Sequence, residues 1–203
     1  EKAHLTAISK RAISVISKFQ ATDLAEFLWG LAKLGESIDS RLMQELTNRT
    51  AATLSQFNSR EIAYTLWAFS ILDFTVEPTA LANIARRATA TIGNSSAEDL
   101  SKIAYAHGQM RIRPDSTLLE ALKTRTVEKV HEFTPEDLSS LIWAFQILGI
   151  EADPVLAQTQ AEHNAAKKTM AKTKSRSLSP VRGMVSPEVS RDSIKPERSK
   201  RKV

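Results

Sequence analysis

Shifted by 38 residues, the sequence falls into register with itself. Leu24, Ile62, Leu100 and Leu138 align, as do Trp29, Trp67, Tyr105 and Trp143, and Leu34, Leu72, Met110 and Leu148. Upstream, Leu5/Met43/Leu81/Leu119, Ile8/Leu46/Ile84/Leu122 and Ile16/Leu54/Ile92/Val130 keep the same period without a gap. A fixed period of this length marks a repeat architecture, in which each unit buries its apolar face only against its neighbours. Within a unit, apolar positions 5, 8, 12 and 16 follow helical spacing, and Leu24, Leu28, Leu31 and Leu34 do the same around Trp29. Each repeat is therefore expected to be two helices, the second apolar on most of its circumference and the more buried.

The boundaries carry helix-end chemistry. Gln20, Asn58, Ser96 and Thr134 are each followed three residues later by Asp23, Glu61, Asp99 or Asp137, a capping-box spacing in which Gln20 is the poorest cap. The other helix starts at Asp39, Glu77, Asp115 and Asp153, with Pro78 and Pro154 at its first position. Gly35 and Gly149 close the second helix where a left-handed residue is wanted, and Asp73 and Arg111 replace them in the middle copies. The expected fold is all-α: an α-solenoid of four helix pairs over roughly 2–149, plus a fifth first-type helix at about 153–170. No stretch alternates with period two. The third copy, with His107 in an apolar column and Gly108 inside a helix, is expected to be the loosest, since glycine costs roughly 1 kcal/mol there.

The segments Asp23-Leu24-Ala25-Glu26-Phe27-Leu28-Trp29-Gly30-Leu31-Ala32-Lys33-Leu34-Gly35 and Asp137-Leu138-Ser139-Ser140-Leu141-Ile142-Trp143-Ala144-Phe145-Gln146-Ile147-Leu148-Gly149 strongly resemble the octotricopeptide repeat. That repeat has a 38-residue unit and an LANxLWALAKLG signature. Similar repeats occur in RAP-domain and FASTK-like proteins. The resemblance covers about three quarters of the chain. It implies sequence-selective binding of single-stranded RNA (mRNA or rRNA) in mitochondria or chloroplasts, for RNA maturation, stability, translation or ribosomal RNA assembly. No strand-rich segment corresponds to a RAP or nuclease-like domain, so nuclease activity is not carried over.

Two columns of the first helix are candidates for RNA contact. Arg11, Arg49, Arg87 and Arg125 recur beside the apolar stripe, and a guanidinium row matches a row of phosphates. The equally regular acids at 23, 61, 99 and 137 leave a second reading open, in which each arginine ties one helix to the next by an ion pair. Lys10, Asn48, Arg86 and Thr124 are polar and different in every copy, the combination a one-base-per-repeat reader needs. The columns Thr6/Gln44/Ala82/Glu120 and Ala7/Glu45/Asn83/Ala121 vary likewise, and a solvated helix face would look the same. The Trp29/Trp67/Tyr105/Trp143 column stands at core spacing and is expected to pack inside. His107 is expected in the core as well.

Charge and composition limit the remaining classes. The net +5 of the 203 residues is unevenly spread: residues 164–203 hold 12 Lys/Arg against 3 Asp/Glu, so the preceding body is net acidic. From about Lys172 the helical pattern is expected to stop, giving domains of 1–171 (solenoid) and 172–203 (disordered, basic, Ser/Pro-punctuated tail). Such a tail suits salt-sensitive RNA binding, with Ser179 and Ser186 before proline as phosphorylation candidates and Lys200-Arg201-Lys202 resembling a nuclear-import signal. Cysteine is absent, which removes disulfides, thiolate metal sites and a cysteine nucleophile. Neither a phosphate loop nor a catalytic constellation nor metal-ligand spacing stands out, so no enzyme, metal, cofactor or small-molecule substrate is expected. No membrane span is expected either. The chain begins Glu-Lys and reads as a processed form or an excerpt. Four repeats would read about four bases, so either a longer array or a larger ribonucleoprotein complex with other protein partners is expected. The alternative to RNA binding is a protein-interaction scaffold using the same concave face.

Overall fold

The computed structural model describes residues 2–72 and 74–177, which divide into two units between Ala166 and Lys167. Asp73, Ser179, Ser186, the Lys200-Arg201-Lys202 cluster and the rest of the tail beyond Ser177 lie outside the described residues. Among the described residues there are nine α-helices and no strand. The first-type helices are α1 (Lys2–Val15), α3 (Ser40–Thr53), α5 (Pro78–Thr91), α7 (Ser116–Glu128) and α9 (Pro154–Ser177). The second-type helices are α2 (Ala21–Leu34), α4 (Ser59–Ile71), α6 (Ala97–Met110) and α8 (Pro135–Ile147). This is the solenoid that the 38-residue period predicts. Helix α9 continues past Lys172 to Ser177, where Lys174 and Arg176 are good helix formers among Thr173, Ser175 and Ser177.

The helix ends follow the capping chemistry, with variations. Asn58 and Glu61 exchange side-chain-to-backbone hydrogen bonds of 2.8 and 3.0 Å, and Ser96 and Asp99 do so at 3.0 and 3.1 Å. In the fourth copy Thr134 Oγ1 accepts from Asp137 N but donates its own proton to the Asp137 carboxylate, so the reciprocal backbone bond is lost. Asp39 and Asp115 each accept from two first-turn N–H groups, whereas Glu77 makes no such bond. Gly35 and Gly149 stand at φ +65° and +62°, and Arg111 takes the same left-handed conformation at +56°. Each of α1, α3, α5 and α7 is followed by a single 3-10 turn before the chain reverses (Ile16–Lys18, Leu54–Gln56, Ile92–Asn94, Val130–Glu132), which the period does not announce. The Ile16/Leu54/Ile92/Val130 column opens these turns instead of closing the α-helical stripe.

Within residues 1–166 the two helix types form two layers, and their spacing differs. Second-type helices pack closely along their lengths in the order α2, α4, α6, α8, while consecutive first-type helices touch sparingly. The cause is side-chain size. Ala25, Ala63, Ala68, Ser101, Ala104, Ala106 and Ala144 are all essentially buried on the second-type layer, so little more than a methyl group separates the backbones. A layer with the shorter spacing lies on the inner arc of a curved stack, which places α2, α4, α6 and α8 inside. Fully buried Leu24, Leu28, Ile62, Leu66, Leu100, Leu138 and Leu141 join the same core as Leu42, Leu46, Ile84, Leu118 and Leu122 from the outer layer. Each such leucine or isoleucine contributes about 1.5–3 kcal/mol of burial.

The third copy corrects the expectation of looseness. Gly108 lies where α6 meets α8, and a Cβ there would stand 3.0 Å from both Cα and Cβ of Ala144 and 3.2 Å from Trp143 Cζ3. Glycine costs helix propensity but permits the close crossing. His107 is 2% exposed; its Nδ1 lies 2.9 Å from the Ile112 carbonyl oxygen, while Nε2 is buried without a partner. A carbonyl only accepts, so Nδ1 carries a proton, and Nε2, buried with no acceptor, is the nitrogen that burial favours leaving bare. Burial pushes its pKa below the ordinary 6.5, the Ile112 bond opposing only in part.

Two outcomes follow from this packing. Gly108→Ala should destabilise the fold by about 1–3 kcal/mol despite the better helix former, read as a lowered urea midpoint. The unfolded chain takes up the His107 proton before the folded one does, so this residue's contribution is full above about pH 6.5 and is lost as pH falls through the lower folded value. In thermal unfolding between pH 7 and 5, His107→Leu should therefore lose less stability on acidification than the parent chain.

Candidate nucleic-acid interface

The arginine column is part of the framework. Arg49 donates through Nε and Nη2 to the Phe19 carbonyl oxygen at 3.0 and 2.9 Å, and Arg87 through Nε to that of Phe57 at 2.7 Å. Phe19 and Phe57 follow the 3-10 turns in extended conformation, where their carbonyls have left the helical ladder. Each guanidinium thus reaches back one repeat and caps the turn of its predecessor. In the third copy Ser95 replaces the phenylalanine, and Arg125 Nη2 instead finds the Gly93 carbonyl at 2.7 Å while Nη1 pairs with Glu128. Arg49, Arg87 and Arg125 are half-buried and Arg11 is exposed. The phosphate ladder expected from sequence is corrected to this extent: one or two guanidinium nitrogens of Arg49, Arg87 and Arg125 serve a backbone oxygen of the preceding repeat. The ion-pair alternative is corrected too: the tie between repeats exists, but its acceptor is a carbonyl, because Asp23, Glu61 and Asp99 are turned toward their own helix ends.

Lys10, Asn48, Arg86 and Thr124 are all exposed on the outer layer. Asn48 accepts from Gln44 at 3.1 Å and Arg86 donates to Asn83, each one turn back on its own helix. They share a face, as the period requires, but it is not the inner arc.

The aromatic column departs from its expected place. Trp29 and Trp143 are each 36% exposed, and Trp67 and Tyr105 are half-buried. The second helix is apolar on most of its circumference because both flanks pack against neighbouring second helices; the aromatic position falls between those flanks and emerges on the inner surface. There it is joined by Tyr64, whose ring stacks on Trp29 at 6.1 Å and 20°, while Tyr105 and Trp143 meet at 5.2 Å. Cations sit over these rings: Lys33 Nζ is 5.5 Å from Trp29 and 5.3 Å from Trp67, Arg60 is 5.1 Å from Tyr64, and Lys102 Nζ is 5.4 Å from Tyr64 on its own approach. Arg60 also donates to Tyr64 Oη at 3.0 Å. Trp29, Lys33, Tyr64, Trp67, Lys102 and Tyr105 border a groove of about 360 Å³ that touches all four second-type helices.

A further column is legible here. Glu26, Tyr64, Lys102 and Ser140 stand three residues before each aromatic and differ in every copy, and the last three line the same groove. Its signal was present: polar residues inside an otherwise apolar helix. Glu98, one turn before Lys102, is held ionised below the ordinary carboxylate range chiefly by its hydrogen bond to Lys102. Among the described residues no group of three or more His, Asp or Glu could hold a metal ion, and no helix is long and apolar enough to cross a membrane.

The two kinds of arginine separate in a stability measurement. Arg87→Gln should cost about 1–3 kcal/mol in urea unfolding by leaving the Phe57 carbonyl without its donor. The exposed Arg11→Gln should stay within about 0.5 kcal/mol of the parent.

No curated protein matches the chain. A family model does: that of the RNA-editing substrate-binding complex 6 protein covers residues 1–157, which takes in all four helix pairs and the first turn of α9. By that match the chain belongs to the RNA-editing substrate-binding complex 6 protein family.

Proposed function

We propose that the protein binds single-stranded RNA along its inner arc, as a non-catalytic member of an RNA-editing substrate-binding assembly in the mitochondrion. The carrying observation is the aromatic stripe with Lys33, Arg60 and Lys102 over its rings. Unpaired bases have π-faces that stack on Trp and Tyr, and the cations among them draw the strand by its backbone charge. The inner arc suits this ligand because the repeat returns equivalent rings to one edge, as a strand returns its bases. The family match supplies the RNA-editing context and protein neighbours in the same complex. The basic segment 172–203 adds a sequence-independent attraction of the counterion-release kind. Roles in mRNA or ribosomal RNA maturation rest on the octotricopeptide resemblance.

Binding of fluorescent oligoribonucleotides to the full chain tests this reading. Changing Trp29 and Trp143 together to alanine should weaken single-strand affinity roughly tenfold or more, given about 1–3 kcal/mol per stacked base. The salt slope should stay as it was, since no charge is removed. Neutralising Lys33, Arg60 and Lys102 should instead flatten the slope. RNA affinity untouched by either set would reject the groove and return the inner arc to the protein-scaffold reading.

A further inference from the structure

The groove does not carry one kind of charge, and its arrangement at α6 is specific. Lys102 and Glu98 stand one turn apart and are paired; the Lys102 side chain is 17% exposed and the Glu98 side chain 55%. Lys102 lies over the Tyr64 ring, with Trp67 from α4 and Tyr105 from α6 lining the same groove. An ionised carboxylate repels a phosphate, so a nucleic-acid strand would bring a base to this point. We propose that Glu98 and Lys102 form a guanine-selective subsite between the aromatic side chains of α4 and α6. This rests on the RNA-binding reading above.

The selectivity comes from matching donors to acceptors on one base edge. The Watson–Crick edge of guanine presents the O6 acceptor beside the N1–H and N2–H donors. The ammonium of Lys102 donates to O6 while the Glu98 carboxylate accepts from N1–H and N2–H, and Tyr64, Trp67 or Tyr105 offers the stacking face. Uracil supplies O4 and N3–H in that order but sets its O2 lone pairs against the carboxylate. Adenine and cytosine give the carboxylate one amino N–H and the ammonium one ring nitrogen, so they match each group once but lack the second donor by which guanine engages both carboxylate oxygens. Guanine therefore ranks first, by one charge-assisted hydrogen bond more than adenine or cytosine, and uracil ranks last. The pairing of Glu98 with Lys102 keeps both side chains in place before a base arrives, so little ordering is left for binding to accomplish.

The test is competition among oligouridylates of eight nucleotides carrying a single central G, A or C, against the full chain at constant salt. The G-centred strand should bind roughly tenfold tighter than the A-centred one, within the range for a well-matched base contact. Glu98→Ala should collapse that ratio to within about twofold, because the carboxylate that accepts guanine's second donor is gone. Equal affinity for all strands in the parent chain, or a guanine preference that survives Glu98→Ala, would overturn the subsite while leaving RNA binding in place. Failure to bind any of the strands would overturn the RNA reading itself, and the subsite with it.

Discussion

The close approach of the second-type helices governs the rest of the structure. Alanine, serine and glycine along α2, α4, α6 and α8 let neighbouring backbones approach closely, and at Gly108 against Ala144 there is no room for a Cβ. Larger residues at those positions would separate the helices, flatten the arc and pull the aromatic column apart. The curvature and the surface are thus one property: where flanks are small, the bulky side chain between them has nowhere to go but outward into the groove. A tryptophan at core spacing becomes a surface residue for that reason, and its neighbour's tryptophan or tyrosine is close enough to stack on it.

The outer layer is held by a different device. Consecutive first-type helices meet little, and the 3-10 turns that end them leave carbonyls without helical donors. A guanidinium from the following repeat supplies the missing bond, in the second and third copies at a carbonyl 30 residues earlier. The fourth copy shows how local this accommodation is: with Ser95 in place of phenylalanine, Arg125 shifts to the carbonyl of Gly93. Capping carboxylates and clamping arginines, both strictly periodic, therefore act on separate partners. The regularity that made the arginines look like a ligand ladder is the regularity of the stack itself.

This division of labour leaves the inner groove as the surface on which sequence can vary without unfolding the array. Glu26, Tyr64, Lys102 and Ser140 occupy one geometric position with four chemistries, beside an aromatic column that hardly changes. A constant stacking platform with changing polar neighbours suits a polymer of similar planar units that differ at their edges. The net-acidic body fits the same picture, because discrimination among bases requires acceptors as well as donors along the strand.

Period, helix count, layer pairing and most caps were legible in the residues, because each depends on spacing along one helix or on bonds within four residues. The 3-10 turns escaped because their apolar residue keeps the same column as a helical one. The destinations of periodic side chains were not legible. An arginine, a tryptophan and a leucine can all recur at 38 residues, and the period alone does not say which one faces a carbonyl, a groove or the core. That was decided by how closely the second helices pack, a property of facing surfaces on separate helices. The sequence by itself determined that equivalent residues would line up along a helical stack; only the tertiary structure determined which line is the inner edge, since curvature arises from the difference in spacing between two layers.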